Sequence, residues 1–78
     1  MTNLEKYNKA FTDTFMMDEK DLSKLSYQII NSWDSVGHMT LIAAMEDVFE
    51  IMIDTDDIID FSSYEKGKVI LNKYGVKF

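Results

Sequence analysis

The chain has no cysteine and no proline, and only three of its 78 residues are glycine. Without cysteine, neither a disulfide framework nor a thiolate metal site can form, and small secreted scaffolds generally rely on one of these. A reducing cytoplasm is therefore the expected setting. The absence of proline removes the commonest helix breaker and suits a helical domain. Positive charge is also scarce: eight basic residues face fourteen acidic ones, for a formal charge of −6. Such a surface repels phosphate backbones and anionic lipids, so nucleic acid is not an expected partner and a basic protein surface is. No stretch approaches the roughly 20 apolar residues of a membrane span. The opening "MTNLEKYNKAFTDTFMM" carries charges through its apolar positions, unlike the continuous apolar core of a signal peptide.

Hydrophobic residues make up 46% of the chain, enough to drive folding. At this length residues 1–78 form a single domain, one that buries only about 60% of the surface its unfolded chain would expose. One core fits and an enclosed catalytic cleft does not, which points to binding or carrying.

Leu4, Tyr7, Phe11 and Phe15 recur at three- and four-residue steps and predict a first helix opened by Thr2 or Asn3, with Met16 and Met17 extending its contact surface. From Asp18 to Trp33 the periodicity weakens. The expectation there is a long loop with about one helical turn, in which Leu22, Leu25, Ile29 and Ile30 cover apolar surface. Ser35 to Glu50 reads as the clearest helix, with Asp34 as its N-cap. "FEIMID" alternates like a strand at Phe49, Ile51 and Ile53, but a lone strand has no partner, so an extended plug is expected. Asp54 or Thr55 should open a short third helix, and Ser62 or Ser63 a fourth that carries Tyr64, Val69, Ile70 and Leu71 and ends at Gly75. The predicted fold is all-α, a small four-helix bundle with a long first loop.

The second helix has two apolar sides. At 100° per residue, Leu41, Ile42, Met45, Val48 and Phe49 share the core side, while Val36, Met39 and Ala43 fall opposite, amid Thr40, Glu46, Asp47 and Glu50. An apolar ridge fringed by carboxylates suits docking by a basic partner, and methionine adapts to several partners. The bland alternative is ordinary scattered surface apolarity.

Three tempting motifs fail. Asp34, Ser35 and His38 have the residue types of a hydrolase triad, but an exposed helix start offers neither enclosure nor an oxyanion hole. His38 faces the core side and reads as a packing or hydrogen-bonding residue. "DDIID" (Asp56 to Asp60) matches the spacing of magnesium-binding aspartates that enclose isoprenoids, which this chain is too small to do. A calcium loop from Asp54 fails at Ile58 and Ile59, where a ligand and a glycine are required. An acidic helix start explains these residues more simply.

Asp34-Ser35-Val36, followed by "GHMTLIAAMEDVFEIMI" in an acidic, cysteine-free chain of this length, resembles the acyl carrier proteins. Their marker is Asp-Ser-Leu at the start of a helix whose end is rich in acids, and valine here departs from leucine while staying branched and apolar. "WDSVGHM" is similar to a subset with tryptophan before the aspartate. The likeness spans the whole chain, and Asp-Ser-hydrophobic alone would be weak.

The resemblance implies that Ser35 is the covalent attachment site for 4′-phosphopantetheine, supplied from coenzyme A by a phosphopantetheinyl transferase with magnesium held mainly by that enzyme. The chain itself would hold no metal and catalyse nothing. Asp34 and Val36 would support the motif, and Val36, Met39, Ala43, Glu46 and Asp47 would form the partner-recognition face for acyl-loading and acyl-processing enzymes with basic docking surfaces. A monomer is expected. The cargo would be acyl groups of fatty-acid, polyketide or related biosynthesis. The alternatives are an aminoacyl or peptidyl carrier and, in another class, a helical interaction module in which Ser35 is only part of a cap.

Overall fold

Thr2 opens α1 (Asn3–Phe15) through a reciprocal capping box: its hydroxyl accepts from the Glu5 N–H at 3.1 Å, and the Glu5 carboxylate accepts from the Thr2 N–H at 2.8 Å. The bond from the Thr2 N–H, and then the Thr2 hydroxyl beside it, hold the Glu5 carboxyl below its ordinary range. Met16 ends the helix in a left-handed conformation, φ 54°, and is exposed, so of the two methionines only Met17 packs against the core.

The computed structural model describes residues 1–78. After α1 come a 3-10 segment (Glu19–Lys24), α2 (Ser35–Phe49), α3 (Thr55–Asp60) and α4 (Tyr64–Lys73). The chain is mostly helical and strand-free; its one β-bridge joins Ser26 to Ser63. Around that bridge the Tyr27 N–H donates to the Ser62 carbonyl at 2.7 Å and the Tyr64 N–H to the Leu25 carbonyl at 3.0 Å. The long connection is thereby stitched to the start of α4.

Sixteen buried hydrophobic residues form one core. Its centre is aromatic: Phe11 meets Tyr7, Trp33 and Tyr64 with ring centroids 5.1, 5.6 and 5.4 Å apart. The polar ends of these rings are satisfied inside. The Tyr7 hydroxyl donates to the Tyr64 carbonyl at 2.6 Å, and the Tyr64 hydroxyl to Asn8. Burial raises the pKa of both phenols. Gly67 lets α4 come this close, because a Cβ there would stand 2.2 Å from the Tyr7 hydroxyl and 2.4 Å from the Phe61 ring.

Several expectations need correction. The expected single turn after Asp18 is a six-residue 3-10 segment. Leu22 and Leu25 are buried, but Ile29 is exposed, as are Leu4 and Val69, which lie on the margins of their stripes. Thr2, Asp54 and Ser63 are the caps of α1, α3 and α4, and Glu50 is the left-handed residue that closes α2. Gly75 follows α4 at φ +88°, a conformation that glycine adopts without a Cβ penalty. Of "FEIMID", Phe49 ends α2 and Glu50 caps it, so the expected extended plug is confined to residues 51–54, with Ile53 buried and Met52 exposed.

No residue of α3 is fully buried; Ile58 packs against the core, and polar ties add to its hold. Asp57 accepts from the Lys73 ammonium at 2.6 Å and the Tyr74 hydroxyl at 2.5 Å, and that hydroxyl accepts from the Asp54 N–H at 2.9 Å. The Lys73 bond, then the Tyr74 bond, hold the Asp57 carboxyl below the usual aspartate range. In turn the bonds to Asp57 raise the pKa of Lys73 and of Tyr74.

Candidate functional site

The start of α2 is built by Asp34, whose side chain accepts from the Gly37 N–H at 2.8 Å while its carbonyl takes the His38 N–H at 2.7 Å. With that cap in place, Ser35 is the first helical residue and stands exposed. Helix geometry leaves the N–H groups of Ser35 and Val36 without an intrahelical acceptor, and the positive end of the helix dipole lies there. The hydroxyl is thus presented to solvent at a point that favours added negative charge. A phosphodiester on Ser35 fits this setting on both counts.

One turn on, His38 joins three elements. The Trp33 indole N–H donates to His38 Nδ1 at 2.9 Å, and His38 Nε2 lies 2.7 Å from the Ile58 carbonyl. An indole nitrogen can only donate, so Nδ1 must be the bare nitrogen and Nε2 must carry the proton given to Ile58. The Ile58 carbonyl belongs to the last turn of α3, where the helix itself supplies no donor. Leaving the Trp33 N–H unpaired in its fully buried setting would cost about 1–3 kcal/mol. Tyr27 and Phe61 stand edge-on to the imidazole at 5.4 and 6.2 Å. The expected hydrogen-bonding role of His38 is met, with partners that its place on the helix did not reveal.

Beside Ser35 lies a cavity of about 340 Å³, lined by Tyr27, Ser35, His38, Met39, Ile58, Ile59, Phe61 and Ser62. Its wall is mainly apolar, and Ser35 stands at its edge with α2 on one side and α3 on the other. Of these lining residues the sequence pointed to Ser35 and Met39 as site residues and to His38 only as a packing or hydrogen-bonding residue. The "II" inside acidic "DDIID" was the available signal for Ile58 and Ile59, because two apolar residues in so short and charged a helix need something to cover.

Val36 is 74% exposed, Met39 54% and Ile59 71%, so the ridge on α2 continues onto α3. Ala43 and Asp47 are also exposed on α2. Asp47 and Thr40 line a separate groove of about 480 Å³ between α1 and α2, away from Ser35. Glu46 differs from the rest of the predicted partner face. It is half-buried, and its carboxylate accepts from the Ile53 N–H at 2.9 Å, fastening the plug after α2. Between Lys24 and Lys66 the chain carries nine carboxylates, from Asp34 to Glu65, and no lysine; of these, Asp57 is paired with Lys73 of α4, and Asp47 shares its groove with Lys6 and Lys9 of α1.

No group of three or more histidine, aspartate or glutamate side chains is placed to hold a metal ion, the "DDIID" aspartates included. No helix is long and apolar enough to cross a membrane. Compared with protein-family models, curated proteins and solved structures, the chain matches none.

Proposed function

We propose that the chain is a carrier protein of the acyl-carrier type, a four-helix bundle in which Ser35 receives 4′-phosphopantetheine. The observation that carries this reading is the position of Ser35: exposed, first in α2 behind the Asp34 cap, and at the edge of an apolar cavity. Once attached, the group supplies the thiol on which acyl cargo rides as a thioester, in a chain that has no thiol of its own.

Each neighbouring residue has a part. Asp34 fixes the first turn and leaves the Ser35 hydroxyl exposed as the acceptor: its oxygen bonds the pantetheine-side phosphorus as the pyrophosphate bond of coenzyme A breaks, adenosine 3′,5′-bisphosphate leaves, and the hydroxyl proton passes to the transferase. The free N–H groups and the helix dipole stabilise the phosphodiester charge that results. Val36, Met39 and Ile59 offer the apolar contact for partner enzymes, and Asp47 with the α3 aspartates attracts their basic rims. Glu46 contributes charge there while holding Ile53. Partners are a phosphopantetheinyl transferase and acyl-loading and acyl-processing enzymes in a reducing cytoplasm.

The test is incubation with coenzyme A, magnesium and a broad-specificity phosphopantetheinyl transferase, followed by intact mass. The expected outcome is one phosphopantetheinyl addition, absent from Ser35→Ala. No addition to the wild-type chain overturns the reading in favour of an interaction module, and addition to Ser35→Ala moves the site elsewhere. Loading the modified protein with acyl and aminoacyl synthetases then separates the two carrier classes.

A further inference from the structure

The groove of about 480 Å³ between α1 and α2 is the largest hollow on the molecule, and its walls come from Met1, α1 and α2 alone. No third element covers it. The two helices run antiparallel: Phe15 at the end of α1 stands 3.3 Å from where a Cβ on Gly37 would lie at the start of α2, while Phe78 meets both Tyr7 early in α1 and Phe49 at the end of α2. Lys6 and Asp47 therefore stand on opposite rims at the same end of the groove. Ala10, Ala44 and Val48 supply apolar lining between them.

Other polar groups in the groove are already engaged. Lys9 is paired with Asp13 at 2.8 Å, and the Thr40 hydroxyl donates to the Val36 carbonyl at 3.0 Å. Lys6, half-buried, and Asp47, exposed, take part in none of the four ion pairs. An occupant that covers the apolar lining must bring an acid to the Lys6 rim and a base to the Asp47 rim. A second copy does so by symmetry. A two-fold rotation about the groove axis lays α1 of each copy over α2 of the other, so that Lys6 of each meets Asp47 of the other.

We infer that this face is a self-association surface, through which two copies form a two-fold dimer tied by reciprocal Lys6–Asp47 pairs around an apolar seam. The contact is small and its pairs lie at the solvent edge, so association is weak and concentration-dependent. At about 0.15 M salt the repulsion between two chains of charge −6 is screened beyond about 8 Å, whereas pairs in contact keep their attraction. Ser35 lines the other cavity, so the dimer leaves it uncovered while it occupies Asp47, which then serves either a second copy or a partner enzyme.

Sedimentation equilibrium of the unmodified protein from about 10 µM to 1 mM tests this. The expected result is a monomer–dimer equilibrium in wild type, in place of the monomer expected from the sequence. Lys6→Glu or Asp47→Lys should each weaken it roughly tenfold or more, because one reversal turns two attractive contacts into repulsive ones. The decisive sample is an equimolar mixture of these two variants. In the mixed dimer the two reversed charges face each other and the unreversed pair is kept, so association returns to about the wild-type strength. A wild-type chain that stays monomeric throughout the range overturns the inference and leaves the groove to a helix of another protein. Single variants that dimerise like wild type, or a mixture no better than its components, overturn it as well. If a variant does not fold, concentration-dependent ¹H–¹⁵N shifts of the wild-type chain decide: shifts centred on Lys6, Ala10, Ala44 and Asp47 support the dimer, and shifts centred elsewhere, or none, overturn it. Failure of Ser35 to accept the prosthetic group would leave these readouts unaffected.

Discussion

The carbonyl oxygen of Ser32 lies 1.9 Å from the point that a Cβ on Gly37 would occupy, so the loop ahead of α2 rests directly on the helix backbone. Helix propensity alone says that glycine costs this first turn about 1 kcal/mol relative to alanine. The contact reverses the sign. Gly37→Ala should destabilise the protein by about 1–3 kcal/mol through overpacking against backbone that cannot yield like a side-chain tip, measured by urea unfolding. A stabilised variant would show that the loop moves aside freely.

Asp34→Ala removes the oxygen that accepts from the Gly37 N–H. The expected loss is about 1 kcal/mol of stability, with an unchanged denaturant slope. Asp34→Asn or Asp34→Ser should restore most of it, because either side chain can cap.

Glu46 and Asp47 should separate when each is reversed to lysine. Glu46→Lys leaves the Ile53 N–H without its acceptor and should cost about 1 kcal/mol of stability. Asp47→Lys touches no such bond and should leave the melting temperature nearly unchanged. On the carrier reading both slow modification by the transferase, and more so at low ionic strength. Equal rates in Asp47→Lys and wild type would remove Asp47 from the docking face.

The Asp57 ties predict a pH window. Its folded carboxyl binds a proton less readily than the unfolded one, so the stabilisation is present above the ordinary aspartate range and is lost as pH falls through it. Lys73 and Tyr74 hold their protons more tightly in the folded state, so their share is present below their ordinary values and is lost as pH rises past them. The stability difference between wild type and Asp57→Asn should therefore be widest from about pH 5 to 9 and close at both ends. Chemical denaturation at pH 3, 7 and 11 checks this, and a difference constant across the series would reject it.

Much of the helical layout was legible because its signals are local. A cap and its N–H lie three residues apart, as Thr2 and Glu5 or Asp34 and Gly37 do, and a helical stripe repeats every three or four. The weak points were residues whose side chains sit at a stripe's margin. Leu4 and Val69 are apolar at helical spacing yet exposed, since spacing gives an angle and not the reach of the neighbouring element. Glu46 was legible as an acid on the outer face of α2, but its bond to Ile53 depends on how the chain turns after Glu50.

The sequence by itself determined the four α-helices, the Asp34 cap, the acidic surface and the presentation of Ser35 at the start of α2, and narrowed each other cap to two neighbouring residues, all of which depends on composition or on residues within one or two turns. Tertiary structure alone decided the rest. His38 meets a carbonyl 20 residues away, the Tyr7 hydroxyl meets one 57 residues away, and Gly67 is required by the Tyr7 and Phe61 rings. The cavity beside Ser35 likewise needs Tyr27, Met39 and Ile58 from three separate segments. No local pattern encodes such meetings, because they arise when helices bury their apolar sides together and the polar groups carried inward must find whichever partners then lie within reach.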